Sequence, residues 1–244
     1  MINFYCNTHN CIAPLHTQGI QRTLMCGSVK LAADKQQDCI KKGYVLDNTF
    51  DNISSMNPIL GDLTGLYWVW KNTADEYVGV NQYCRFYDDD ELRKIDVPNK
   101  NTIYVSNFVP FGNLNVWQQY QYWHTDIGLK LLYTAIDSGA ISISKSMADQ
   151  MFSTNQLSTC NSFFAHRSIF NKLCAILFDI IFELYNGCKY VLEHIQYGMH
   201  RKNALDMRML AFLSERILNI IYLNITHFLG KNVNISPVKF NLIQ

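Results

Sequence analysis

The chain has 244 residues, 21 Lys+Arg against 20 Asp+Glu, a formal charge of +1 and 48% hydrophobic residues, which fits one or at most two compact domains. So even a charge balance, without a long basic run, gives no reason to expect nucleic acid as a partner. The 14 Phe, 14 Tyr and 4 Trp exclude a disordered chain, because they supply ample apolar area for a core.

The eight cysteines are scattered without a C-x-x-C pair, so neither a zinc ribbon nor a redox dithiol is signalled. Met1 to Asn10 carries Asn3, Asn7, Thr8 and His9 where a secretory leader needs an apolar run. The apolar stretches 173–185 and 217–229 are interrupted by Asp179, Glu183, Asn219 and Asn224, and fall short of the roughly 20 residues of a bilayer span. The expected setting is therefore a reducing cytoplasm with free thiols, and peripheral attachment to the inner face of a membrane is compatible with it.

Ile2 to Cys6 reads as a buried first strand running into the polar loop Asn7 to Asn10. Residues 17–42 are only weakly periodic, and 47–60, dense in Asp, Asn, Ser and Pro, reads as a long loop. From Asp62 the spacing of Leu63, Leu66, Tyr67 and Trp70 predicts a helix that stops near Asn72. Tyr77 to Tyr87 then reads as one strand, followed by Asp88, Asp89 and Asp90.

A further strand is predicted over 102–107, and one helix from Val116 to about Ile136, on the spacing of Val116, Tyr120, Trp123, Ile127 and Leu131. Residues 137–159 are Ser-rich without a readable period. Phe163 and Phe164 are read as ending a strand. Ser168 caps a helix through Leu184, and a last long helix covers roughly 206–223 before a mixed tail. This order argues for an α/β fold with a mainly parallel sheet, whose ligands sit outside the carboxyl ends of the strands. Three places qualify: the loop after Cys6, the loop before Asp62 and the stretch after Gly79.

No G-x-G-x-x-G, G-x-x-x-x-G-K, H-E-x-x-H or G-x-S-x-G motif is present, which removes dinucleotide, P-loop, zincin and α/β-hydrolase chemistry. Asp88 and Asp90 are candidate ligands for a divalent ion, Mn or Mg, with a solvated turn as the alternative. Arg85 offers a planar fork suited to phosphate, or else a buried ion pair with Asp62 or Glu76. His124 with Asp126 can act as a base or bind a sugar hydroxyl, or simply satisfy each other on a helix. Arg208 and Glu215, seven residues apart on a helix, face one way, and Glu215 with Arg216 inside an apolar helix reads as a buried polar contact, either a structural clamp or part of a substrate site.

DNISSMNPILGDLTGLYWVWKN (51–72) followed by YVGVNQYCRFY (77–87) resembles the capsular and exopolysaccharide biosynthesis proteins called domain of unknown function 4422. That family has an N-I-S, a helix ending in Y-W-x-W-K-N and a strand reading G-L-x-H-Y-R-R-Y-F. The segments 161–184 and 208–223 resemble the family's C-terminal half. The resemblance implies a GT-A-like fold with a helical C-terminal part: a nucleotide-sugar half over 1–112 and a mainly helical acceptor half over 113–244. It also implies a glycosyltransferase that moves a hexosyl group from a nucleotide diphosphate sugar to a glycan or lipid-linked acceptor in surface polysaccharide synthesis.

On that reading Asn7, Thr8 and the Asn52, Ser54 and Asn57 loop bind the nucleotide, and Asp62 orients hydroxyls. Arg85 meets the diphosphate in place of a metal, which the motif does not require. Tyr83 and Trp123 stack on sugar faces, and the base is among His124, Asp126 and Glu215. Gln82 and Cys84 stand where the family has His and Arg, and Asp62 where it has Glu. These departures motivate the alternative of a catalytically impaired nucleotide-sugar or glycan-binding relative.

Overall fold

The computed structural model describes residues 2–10, 21–87, 94–95, 98–196, 207–239 and 241–242. Its strands are β1 (Ile2–Thr8), β2 (Gln21–Met25), β3 (Val45–Leu46), β4 (Tyr77–Gln82), β5 (Arg85–Phe86), β6 (Thr102–Ser106), β7 (Val109–Pro110), β8 (Gln156–Leu157), β9 (Phe163–His166), β10 (Asn234–Val238) and β11 (Asn241–Leu242). The main sheet runs β10-β6-β9-β4-β1-β2-β3. β4, β1, β2 and β3 are mutually parallel, β10 is parallel to β6, and β9 runs antiparallel between β4 and β6. The fold is α/β, mainly parallel and GT-A-like.

Period-two geometry sorts the central strands onto two faces. Val78, Val80, Ile103, Val105, Phe163 and Ala165 enter the large core formed with the helices Leu63–Asn72, Arg167–Gln196 and Met209–Leu223. Tyr77, Tyr104 and Phe164 join Ile2 and Phe4 in a second cluster. There Phe164 stacks on Tyr104 at 4.5 Å and meets Phe4 edge-on at 5.1 Å. Gly79 makes this possible: a Cβ at that position would lie 2.5 Å from Phe164 Cβ and 2.6 Å from Phe4 Cε1.

Several expectations from sequence change. The strand predicted over 77–87 ends at Gln82 and reverses at Tyr83 and Cys84, so that Arg85 pairs antiparallel with Gln82. Neither turn residue is a usual turn former, and the apolar run conceals the reversal. The helix predicted over 116–136 is two helices, Val116–Trp123 and Ile127–Asp137, separated at His124, whose backbone is extended. Both pieces carry apolar residues four apart, so the period continues across the break. A capping box between Asn115 and Gln118 starts the first piece.

The weakly periodic 17–42 stretch supplies β2 and the helix Ala33–Lys41, and the Ser-rich stretch holds the helix Lys145–Ser153, capped by Ser144. Phe163 and Phe164 open β9 rather than close a strand, and the helix after it begins at Arg167 and continues past Leu184 to Gln196. Part of the mixed tail becomes the edge strand β10. No described helix is long and apolar enough to cross a membrane.

Candidate functional site

The register of the sheet brings the functional ends together. Asn7 pairs with Gln82, so the carboxyl ends of β1 and β4 lie side by side. β9 is antiparallel to its neighbours, with Phe163 opposite Val80 and Val105, so the segment before it arrives at that same edge. Of the polar cluster read as a loop after Cys6, Asn7 and Thr8 are the buried end of β1, while His9 and Asn10 lie exposed beyond it.

Asp62, half-buried, stands at the start of the Leu63–Asn72 helix above this edge. Its Oδ2 accepts hydrogen bonds from Gln82 Nε2 at 2.8 Å and Asn161 Nδ2 at 3.2 Å. Its carbonyl accepts from Asn7 Nδ2 at 3.1 Å. Burial pushes the carboxyl up to about 6, against the pull of the Gln82 amide and with a further push from the Glu215 carboxylate. Both side-chain donors meet the same oxygen, Oδ2. Close approach of the helix to β1 requires Gly65, where a Cβ would lie 2.4 Å from Asn7 Oδ1.

The Met209–Leu223 helix grips the segment that leads into β9. Asn219 Oδ1 accepts from Ser158 N at 2.9 Å, and Asn219 Nδ2 donates to Ser158 O at 2.8 Å. One turn earlier Glu215 Oε1 accepts from Cys160 N at 2.9 Å, and Ser214 Oγ donates to Asn161 Oδ1 at 3.1 Å. Cys160 and Asn161 have φ of 71° and 48°, a left-handed pair of non-glycine residues. Such backbone costs roughly 1–3 kcal/mol per residue, and the four contacts from the helix hold it in place.

Two clefts meet at this elbow. The first, of about 340 Å³, lies over the ends of β1 and β4 and takes in Asn7, Asp62, Tyr83 and Arg208. The second, of about 530 Å³, lies beyond the end of β6 among Phe111, Gln119, Trp123, His124 and Arg216. Arg85, Cys160, Phe212 and Glu215 line both, so they form a shared wall.

Arg85 is exposed, and its Nη1 lies 2.9 Å from Cys160 Sγ. Burial and the Glu215 carboxylate push that thiol up to about 12, so the guanidinium meets a protonated sulfur at neutral pH. Among the described residues no ion pair ties Arg85 to Asp62 or Glu76. Glu215 Oε2 is paired at 2.9 Å with Nη1 of buried Arg216, whose Nη2 donates to Gln119 at 2.7 Å. Both oxygens of Glu215 are thus engaged.

The other predicted residues divide. Thr8, Asn57 and Tyr83 line the first cleft with Asn7, Asp62 and Arg85. Asn52 and Ser54 do not line it. Asn52 closes a local turn with Phe50 O and Ser54 N, and buried Ser54 donates to Asp47 Oδ1 at 2.6 Å. His124 lines the second cleft, stacked on Phe212 at 4.0 Å, with Nδ1 buried and unpartnered among the described residues. Burial and neighbouring Arg216 push its pKa down to about 4, so the imidazole is neutral and weakly basic. Asp126 is exposed, lines neither cleft and pairs with Lys130 at 3.5 Å. Asp88 and Asp90 lie outside the described residues. Among the described residues no cluster of three or more His, Cys, Asp or Glu is arranged to hold a metal ion.

Asn161 and Asp47 escaped the sequence reading, Arg208 entered it only through its spacing from Glu215, and Arg216, read with Glu215 as a buried polar contact, is one. Asp47 is fully buried, and its two oxygens accept from Gly27 N, Ser28 N, Ser28 Oγ, Ser54 Oγ and Thr64 Oγ1 at 2.6–2.9 Å. It is the internal tie of the loops beneath the first cleft. Its one local signal was an acid directly after the apolar pair Val45 and Leu46.

The profile of the family described as domain of unknown function 4422 matches residues 5–227. Among solved structures, the apo structure of the WbbM bifunctional glycosyltransferase superposes with a TM-score of 0.74 at 19% identity, covering 100% of this chain and 45% of that one. The chain therefore spans less than half the length of that protein. No curated protein matches it in sequence.

Proposed function

The chain belongs to the domain of unknown function 4422 family, and from that premise we propose that it transfers a hexosyl group from a nucleotide diphosphate sugar to a glycan acceptor in surface polysaccharide synthesis. The observation that carries this reading is the pair of clefts joined at one wall. The first has two guanidinium groups, Arg85 and Arg208, at the carboxyl ends of parallel strands. A departing diphosphate needs fixed positive charge at that place, and preorganised cations in a cleft supply it. The second cleft takes the acceptor.

The chemistry then divides among the chain's own groups. An acceptor hydroxyl oxygen bonds to the anomeric carbon, the bond from that carbon to the diphosphate oxygen breaks, and the leaving phosphate keeps the electron pair beside Arg85 and Arg208. The acceptor proton goes to Asp62. The sequence reading gave that role to His124, Asp126 or Glu215. Asp126 is outside the clefts, Glu215 is doubly engaged and His124 is a weak base. Asp62 lines the first cleft, takes both of its side-chain hydrogen bonds on Oδ2 and has a proton affinity near the working pH.

The first cleft draws Cys160, Arg208 and Glu215 from beyond residue 112, so on this reading the acceptor half of the chain completes the donor site. On this reading the protein works in the cytoplasm, and peripheral attachment to the inner face of a membrane is compatible with it.

Calorimetric titration with UDP, GDP and their hexose conjugates, combined with a donor-hydrolysis assay with and without chelator, tests the reading. Nucleotide binding with slow sugar release is expected, and the chelator arm reports whether Mn or Mg at Asp88 and Asp90 takes part. Absence of nucleotide binding would overturn it. The engagement of Glu215 favours one second reading, a non-catalytic binder, which predicts nucleotide affinity with no hydrolysis under either condition.

A further inference from the structure

The charges around the larger cleft do not cancel. Of the described residues that line it, Arg85 and Arg216 are cationic, Glu215 is anionic and His124 is neutral above about pH 4, which leaves one net positive charge. Glu215 is paired with Arg216 at 2.9 Å, so the uncompensated charge is that of Arg85. Arg85 is exposed, and the one side-chain hydrogen bond it makes among the described residues runs from Nη1 to Cys160 Sγ at 2.9 Å. Burial and Glu215 push that thiol up to about 12, so the sulfur offers no counter-charge. A guanidinium carries five N–H donors, and most of those of Arg85 remain for a ligand.

Two buried atoms point to the same chemistry. Arg216 is 2% exposed and its Nε has no partner among the described residues, nor has Nδ1 of His124, which feels the Arg216 charge. Both side chains line the cleft. The neutral groups beside them are already spent: Ser106 Oγ is bonded to Ser158 Oγ at 2.6 Å and to Thr159 O at 3.1 Å, and the Gln119 amide oxygen accepts from Arg216 Nη2 at 2.7 Å. What the wall still offers is N–H groups on cations, and these suit an oxyanion better than a hydroxyl.

We infer that the larger cleft binds an anionic oxygen group, a carboxylate or a phosphate, on the guanidinium of Arg85 beside Arg216 and His124. That the acceptor carries this group rests on the transferase reading. Binding of the anion does not. Arg85 then serves both sides of the shared wall, with the donor diphosphate and the second anion on separate N–H groups.

The test is titration of the full chain with trigalacturonate and with galactose 6-phosphate at millimolar concentration, each against its neutral counterpart, galactotriose or galactose. All four are measured with and without saturating UDP, whose own binding reports on the first cleft, and again in Arg85→Gln, Arg85→Lys and Arg208→Gln. At least one anionic sugar should bind at least tenfold tighter than its counterpart, and the tighter of the two names the group. Saturating UDP should leave that binding in place. Arg85→Gln should weaken it at least tenfold and Arg85→Lys should recover part of the loss, whereas Arg208→Gln, confined to the first cleft, should weaken UDP alone. The His124 ring, followed by NMR, should titrate at higher pH with the anionic sugar bound than with the neutral one.

Equal affinity for charged and neutral sugars, no binding of either anionic sugar, displacement by UDP, or indifference to Arg85→Gln overturns the inference. So does a His124 titration that the bound anion leaves unmoved, because the charge would then lie elsewhere. If UDP fails to bind while an anionic sugar binds through Arg85, the transferase reading falls and the anion site stands. If UDP binds and the preference for charge is absent, the reverse holds.

Discussion

Replacing Asp62 by Asn separates function from stability, and the expected size follows from the carboxyl's surroundings. In the unfolded chain this group ionises near 3.8, and in the folded chain near 6. Below 3.8 both states are protonated and the group contributes nothing. Between 3.8 and 6 the unfolded chain gives up the proton first, so the folded state binds more protons and stability falls as the pH rises. Above 6 both are ionised and the full penalty of a half-buried carboxylate is present. By linkage, that penalty is about 1 kcal/mol at pH 4.5 and about 3 kcal/mol at pH 7.5.

Asn keeps an oxygen to accept from Gln82 and Asn161 and carries no charge, so the variant recovers up to that amount. For a chain of this size the gain at pH 7.5 is roughly 6–12 °C in Tm. Thermal unfolding of both proteins at pH 4.5 and 7.5 measures it, and turnover of donor in the same samples should drop to the background. In the parent protein kcat/KM should rise with pH through about 6, as the base loses its proton. An equal gain at both pH values, or a loss at pH 7.5, refutes the electrostatic argument. Retained turnover refutes the assignment of the base.

Arg85→Ala should lower donor turnover by about 10²–10³, as removal of one transition-state donor does. Because the side chain is exposed, unfolding stability should stay within about 0.5 kcal/mol of the parent's, and unchanged turnover would remove Arg85 from the chemistry. Asp47→Ala should cost roughly 3–5 kcal/mol in urea unfolding, because five buried donors lose their acceptor together. Asp47→Asn should cost less, and equal losses would mean that volume rather than hydrogen bonding sets the effect.

Patterns confined to one element were legible without the fold. Leu63, Leu66, Tyr67 and Trp70 marked a helix to within a residue at each end, and the apolar run of 102–107 marked β6. Arg85 and Asp62, both singled out from the sequence, line one cleft. Where local signals failed, a contact from elsewhere in the chain had decided the matter. Asn52 and Ser54 have the composition of a binding loop, yet Ser54 is turned inward by Asp47. His124 and Asp126, two residues apart, separate because the helix breaks between them, sending one to a cleft and the other to solvent.

By itself, then, the order of amino acids determined the alternation of strands and helices, the apolar faces and the family, since each depends on residues within a few positions of one another or on motifs read in line. Only the tertiary structure decided which polar groups share a site. Asp62, Asn161 and Glu215 are joined by hydrogen bonds and fields across 99 and more residues of chain. Distances of that kind are set by the register of β9 against β4 and by the grip of the Met209–Leu223 helix, for which no local spacing carries a signal.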